Sequence, residues 1–289
     1  MSKKLIVAPF ALAVMLFSAA TNAATTIQNK GSDTLVNVAQ AWAEAYQKVN
    51  PNVAVAVSGG GSGTGIAAMI NGTVDIANAS RAMKDKEIEL AEKHGQEPVQ
   101  HVVGYDALAV FIHKDNPAKT LSEQQLAEIF GRDGKARNWS DLGITVPGCS
   151  DGQIVVVGRQ NNSGTYAYFK HEILGKGGKY RQGTLDMNGS KDVVDLVGKT
   201  PCAIGYSGLA YATDEVTKVC VAKDGQPCVM PSVATASDGS YPIARPLFMY
   251  TNGKPKGEIA AYLDWVLSDE GQCIILNKGY APVRAVQCN

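Results

Sequence analysis

The chain has 289 residues, 27 basic and 27 acidic side chains, and a hydrophobic content of 45%. Zero formal charge excludes a protein that works by neutralising nucleic-acid phosphates, which needs a basic surplus. The apolar content, with only 19% charged residues, excludes an intrinsically disordered chain and suffices for two cores.

Met1 to Lys4 is a short basic start, Leu5 to Phe17 an almost unbroken apolar run, and small residues lead up to Thr21-Asn22-Ala23. That order describes a secretory signal peptide over 1–23, cleaved after Ala23. About 13 apolar residues are too few for a membrane anchor, since the hydrocarbon core is ~30 Å thick. Losing Lys3 and Lys4 leaves 25 bases against 27 acids, a net charge of −2. The first cysteine is Cys149, so no lipid-anchoring cysteine follows the signal. A soluble periplasmic protein is expected.

Strand-like and helix-like patterns then alternate, the signature of α/β layers. Thr26 to Asn29 reads as a strand. After Gly31-Ser32-Asp33-Thr34, the apolar positions Leu35, Val38, Ala39, Trp42 and Tyr46 recur at helical spacing. Val53 to Val57 is a buried-type strand, and the glycine-rich run Ser58 to Gly65 leads into a helix over Ile66 to Ile70. Val74 to Ala77 is the next strand, and Ser80 is expected to cap a helix that continues through Lys84 to Lys93. Two long apolar strands, Val102 to His113 and Ile243 to Thr251, are each able to cross between lobes. Between them lie segments at Ser122 to Phe130, Ile154 to Val157, Ser163 to Leu174 and Val193 to Val197. A helix over Lys256 to Leu267 and a disulfide-tied tail close the chain. The expectation is an α/β protein of two lobes, with 24–106 and 247–289 in one and 107–246 in the other. Two crossing strands would enclose a cleft, the usual place for a small ligand.

All six cysteines lie in the exported part, and an even number in an oxidising compartment points to disulfides. Fifteen pairings are open to six cysteines. Cys149–Cys202, Cys220–Cys228 and Cys273–Cys288 are favoured, the last two closing short loops. Zinc is disfavoured, because no Cys-x2-Cys pair exists and His94, His101, His113 and His171 are scattered.

Four hydroxyl- and glycine-rich junctions carry the chemistry. They are Gly31 to Thr34, Gly59 to Gly65, Asn78 to Arg81, and Arg159 to Thr165. Hydroxyls beside the unpaired N–H groups of a helix start make an anion cradle, although any one of them alone reads as an ordinary N-cap. The glycine run is neither a P-loop nor a dinucleotide fingerprint, because Ile66 follows Gly65. No Gly-x-Ser-x-Gly, Ser-x-x-Lys or His-Glu-x-x-His motif occurs, so no nucleophile or metal centre is advertised.

On these residues the chain resembles the periplasmic phosphate-binding proteins of phosphate ABC transporters, over nearly its whole exported length. Arg159-x3-Ser163-Gly164-Thr165, Gly61-Ser62, Asp75 to Ser80, Gly31 to Thr34 and Ile204-Gly205-Tyr206 carry the likeness. The resemblance implies a type II periplasmic binding protein fold holding a dehydrated phosphate between two lobes. It also implies a monomer without cofactor or catalytic activity that passes its ligand to an inner-membrane permease. By matching position, Arg159 would pair with phosphate oxygens. Ser163 and Thr165 would give hydroxyls, Gly164 and Thr165 backbone N–H groups, and Ser62 and Ser80 hydroxyls from the first lobe. Ser32 or Thr34 would add a donor. Some relatives carry an aspartate after the serine matching Ser80, to accept the proton of hydrogen phosphate; here that residue is Arg81. Asp33 and Asp106 are the candidate replacements, Asp106 being favoured and acting together with Arg81. The bland alternative is that Asp106 only pairs with Arg81. Rival functions are a receptor for sulfate or another tetrahedral oxyanion, a phosphatase using the same cradle, and a surface protein that kept the fold.

Overall fold

A computed structural model describes residues 25–288 of the chain, so the signal peptide expected over 1–23 lies outside the described residues. The elements, in chain order, begin with β1 (Thr25–Gly31), α1 (Asp33–Val49), β2 (Val53–Ser58), α2 (Ser62–Ile70), β3 (Ile76–Ala79) and α3 (Asp85–Lys93). The long β4 (Pro98–His113) is followed by β5 (Thr120–Ser122), α4 (Glu123–Phe130), β6 (Val155–Arg159) and α5 (Gly164–Phe169). Next come β7 (Leu185–Met187), α6 (Ser190–Lys199), β8 (Ala203–Gly208), β9 (Val216–Lys218), β10 (Cys220–Ala222) and α7 (Val233–Ser237). The chain returns through β11 (Ala244–Asn252) and ends in α8 (Gly257–Val266) and α9 (Asp269–Asn277).

The strands run in the order β2-β1-β3-β11-β4-β8-β6-β7, with β9 also on β4. β1, β2 and β3 are parallel, as βαβ units require. β4 is the crossing strand. Its first part, Pro98 to Ala107, pairs with β11, and Leu108 to Ile112 pairs with β8. Its second half, Ala107 to Ile112, is continuously apolar and buried, whereas its start, with Gln100 and His101, is only partly covered.

Each lobe packs helices on two faces of its part of the sheet. In the first, Leu35, Val38, Trp42 and Tyr46 of α1 meet Ile27, Met249, Tyr262 and Ile275. On the opposite face Ile66 and Met69 of α2 meet Ala77, Ala79 and Phe248. In the second, Leu126, Ile129 and Phe130 meet Val110, Phe169 and Tyr206, and Val193 and Val197 of α6 meet Phe111 and Val157. Phe169 and Tyr206 stack with ring centroids 3.9 Å apart.

Three local expectations need correction. Ser80 caps no helix: β3 ends at Ala79 and α3 starts only at Asp85, which leaves the Ser80 hydroxyl free for other partners. The tail contains a further helix, α9, capped by Ser268, whose oxygen accepts from the Gly271 N–H. The segment Ser163 to Leu174 is not one regular helix, since α5 gives way to a wider π-helical turn over Lys170–Leu174. Among the described residues no helix is long and apolar enough to cross a membrane.

The three disulfides are Cys149–Cys202, Cys220–Cys228 and Cys273–Cys288, the favoured set. Their sequence separations are 53, 8 and 15 residues. Loop-closure entropy grows with the loop enclosed, so the first constrains the unfolded chain most, by about 4 kcal/mol against about 3 for the others. The Cys149→Ser/Cys202→Ser variant is therefore expected to lose more stability in urea unfolding than either other pairwise replacement.

Candidate functional site

The N-termini of α1, α2 and α5 meet where the two lobes face each other. Gly61 precedes α2 at φ 91°, a left-handed conformation that suits glycine, and a Cβ there would lie 2.7 Å from the Asn162 carbonyl oxygen across the cleft. Asn162 ties the two junctions together. Its carbonyl accepts from the Gly63 N–H at 2.8 Å, and its side-chain amide donates to the Gly60 carbonyl at 2.9 Å.

Hydroxyls converge on this junction, and all of them are buried. Ser32 Oγ donates to Ser80 Oγ at 2.9 Å, and Ser62 Oγ lies 3.3 Å from Ser80 Oγ. Ser62 Oγ also accepts from the Ser80 N–H at 3.0 Å. Thr34 Oγ1 and Thr165 Oγ1 meet at 3.0 Å, one from each lobe. Ser163 caps α5, its oxygen accepting from the Thr165 and Tyr166 N–H groups, so its own hydroxyl proton remains to be donated. Gly164 lies against the first lobe. A Cβ on it would stand 2.3 Å from Ser62 Oγ and 2.6 Å from Ser80 Oγ.

Two arginines serve the junction, Arg159 as expected and Arg245 in place of the expected Arg81. Arg159, on β6, is 1% exposed, and its guanidinium is held on several sides. It donates to Asp33 Oδ2 and the Asn188 carbonyl, each at 2.7 Å, to Ser190 Oγ at 3.0 Å and to the Met187 carbonyl at 3.3 Å. The Asp33 bond is an ion pair across the cleft; the other carboxylate oxygen of Asp33 accepts from the Gly60 N–H at 2.7 Å.

Arg245, on β11, reaches the hydroxyls directly. Its Nη2 donates to Thr165 Oγ1 at 3.0 Å and Thr34 Oγ1 at 3.2 Å, and its Nη1 to the Ser80 carbonyl at 3.2 Å. Behind it, Asp106 Oδ2 accepts from Nη2 at 2.8 Å and Nε at 3.1 Å in a fully buried ion pair. Burial pushes the Asp106 carboxyl above the ordinary range, against the pull of the Arg245 charge. The Leu209 N–H faces the same carboxylate, yet Asp106 Oδ1 makes no full hydrogen bond.

The expected Arg81–Asp106 partnership does not form. Arg81 binds both carboxylate oxygens of Glu87 at 2.7 Å, six residues on in the first turn of α3. Burial works to raise the Glu87 carboxyl, but the Arg81 bonds and charge, with the Lys84 N–H and charge, together hold it below its ordinary value. That fork-to-fork contact, with a further bond to the Ala82 carbonyl, takes up the Arg81 bonds within its own stretch of chain, and none of them goes to the junction. Ser32, Asp33, Thr34, Ser62, Ser80, Arg159, Ser163, Gly164 and Thr165 are brought together; Asp106 stands behind Arg245, and Arg81 stands apart.

A polar cavity of about 520 Å³ opens at the cleft mouth, lined by Asp33, Thr64, Gln160, Asn162, Asn188 and Asp192. A larger one, about 630 Å³, lies at the outer end of the first lobe beside Asp75, Glu97 and Lys254. Buried hydroxyls and guanidinium groups converge at the cleft and not there, which makes the cleft the candidate site.

A two-lobed α/β chain with helix starts and buried cations at the cleft is built as an anion receptor, and comparison with known proteins gives the same class. Residues 18–270 match the family described as the PBP superfamily domain. The phosphate-binding protein PstS of Pseudomonas aeruginosa is 37% identical over 281 residues, 93% of this chain and 86% of that one. PstS of Bacillus subtilis is 32% identical over 255 residues, covering 88% and 79%. Among solved structures, a putative phosphate ABC transporter substrate-binding protein with bound phosphate from Clostridium perfringens superposes with a TM-score of 0.79. It is 30% identical, over 90% of this chain and all of that one. The chain belongs to the PstS phosphate-binding protein family of the PBP superfamily.

Proposed function

We propose that this chain binds inorganic phosphate in the periplasm, as a monomer and without catalysis, and hands it to an inner-membrane ABC permease. The observation that carries this reading is the convergence of six buried hydroxyls and two buried guanidinium groups on one junction. Phosphate would take donors from Ser32, Thr34, Ser62, Ser80, Ser163 and Thr165, with the Gly164 amide at the start of α5, whereas the Thr165 amide expected beside it is already held by Ser163 Oγ. Arg245 would supply charge-assisted bonds from the floor, and Arg159 from the second lobe. The names of the relatives and the phosphate held by the Clostridium structure support the ligand. Residues 24–106 with 247–289, and 107–246, remain our division into lobes.

A binder fits the chemistry better than a phosphatase. The serine and threonine hydroxyls bond to one another, to backbone groups and to Arg245, and no histidine is among their partners.

We assign the proton of hydrogen phosphate to Asp106 Oδ1, which is buried and lacks a full hydrogen bond, whereas both oxygens of Asp33 are engaged. Sulfate, with no proton to offer, would meet that carboxylate as a repulsive neighbour. Titration calorimetry on the anion-stripped protein at neutral pH tests both statements. Phosphate is expected to bind one to one while sulfate gives no heat. Asp106→Asn is expected to narrow the gap between the two anions by about tenfold or more. An unchanged preference in Asp106→Asn would remove Asp106 as the acceptor, and silence toward both anions would remove the reading.

A further inference from the structure

Two tyrosine hydroxyls hold the first turn of α1 from outside the helix, and they come from different parts of the molecule. The hydroxyl of Tyr280, just after α9, donates to the Thr34 carbonyl and lies 2.8 Å from Asn37 Oδ1. It is fully buried within the first lobe, beside Trp42 and Ile275. Tyr211 donates to the Asp33 carbonyl at 2.6 Å and lies 3.4 Å from that of Thr34. It ends a 3-10 turn, Leu209–Tyr211, that continues β8 of the second lobe.

That turn is a contact between the lobes in addition to the crossing strands β4 and β11. Leu209 packs against both core clusters of the second lobe, and Ala210, next along, packs against the core of the first. Gly208 is pressed into the site itself. A Cβ there would lie 3.2 Å from both Asp106 carboxylate oxygens and 3.3 Å from Thr34 Cγ2. Within four residues the chain passes from a strand of one lobe to the helix start that presents Ser32, Asp33 and Thr34.

We propose that Tyr211 is a positioning residue of the anion site, a strut from the end of β8 that fixes the first turn of α1 relative to the second lobe. Its hydroxyl reaches backbone carbonyls and acts on the ligand only through the residues it places. A helical carbonyl keeps a second lone pair for such a donor after its own i+4 bond. Burial pushes the Tyr211 hydroxyl up to about 12, so it remains a donor throughout the neutral range. The contact spans two lobes that must hold a closed arrangement while ligand is bound, so its loss acts on the lifetime of the complex.

This inference rests on the phosphate reading above. The test is stopped-flow phosphate release and calorimetry on the wild type, Tyr211→Phe and Tyr280→Phe, with thermal melts of the anion-free proteins. Tyr211→Phe is expected to weaken phosphate by about three- to tenfold, carried by faster release. Tyr280→Phe removes a hydroxyl that holds the same helix turn from within one lobe and also faces the Tyr211 hydroxyl, and should lower the melting temperature while speeding release clearly less than Tyr211→Phe. Equal release from wild type and Tyr211→Phe, or the same acceleration in Tyr280→Phe, would overturn the proposal. A wild type that takes no phosphate would bring down the reading beneath it and this inference together, whereas a binding wild type with an unaltered Tyr211→Phe removes the inference alone.

Discussion

Arg245→Met is expected to abolish phosphate binding and to lower stability by about 3–5 kcal/mol, because it leaves Asp106 buried without its counter-ion. Two guanidinium nitrogens face the junction, and charge-assisted bonds contribute about 1.5–3 kcal/mol each. Losing both should cost at least about a hundredfold in affinity. The two effects separate in the double variant Arg245→Met/Asp106→Leu. Replacing a buried ion pair by apolar side chains is often neutral, so urea unfolding should recover while calorimetry stays silent. Phosphate binding by Arg245→Met within about threefold of wild type would show that Arg245 is only a structural partner of Asp106.

The second large effect is expected from Gly164→Ala. The three atoms nearest to a Cβ at this position are Ser62 Oγ, Ser80 Oγ and Ser62 Cβ, at 2.3, 2.6 and 3.0 Å, all belonging to the opposite lobe. Those serines are buried and hydrogen-bonded, with little room to give way. One added methyl group therefore works against closure while leaving the interior of each lobe alone. Overpacking of this kind costs about 1–3 kcal/mol, which predicts a loss of about five- to 150-fold in phosphate affinity. Small-angle scattering should show compaction on adding phosphate to the wild type and little in Gly164→Ala, with the anion-free melting temperature near wild type. Full compaction in the variant would contradict this account of the cleft.

The layered fold was legible because helical and strand periods alternate cleanly, and α1 buries Leu35, Val38, Ala39, Trp42 and Tyr46, the stripe its spacing predicts. Nine candidate residues were also found, because hydroxyl-rich helix starts have a local signature. Arg245 was missed for the opposite reason. It lies in an apolar strand with no motif around it, and its role arises from pairing β11 with β4, which sets Arg245 opposite Asp106. A usable signal did exist: a charge inside an apolar run needs a buried partner. That rule picked out Asp106 on β4, and the same rule applied to Ile243 to Thr251 would have found its mate. Arg81 was misplaced because Glu87 competes for it at short range. Closeness in sequence prevailed over a partner two strands away.

The position of β11 also affects the order in which the fold can be completed. β1, β2 and β3 join the rest of the sheet only through β11, which is inserted between β3 and β4. Synthesis, N-terminus first, delivers those three strands early and their neighbour more than 160 residues later, counting from Ala79 to Ala244. Until then β3 has an open edge beside apolar surface, the kind that recruits other chains. Contacts so distant in sequence form slowly. The part carrying β5 to β10, whose pairings all fall between Leu108 and Lys218 or within the short β10–β5 sheet, does not have to wait. Such a molecule is most exposed to misassembly just before its final segment arrives, and substitutions in β11 should reduce the yield of folded protein well beyond their effect on the stability of the finished one.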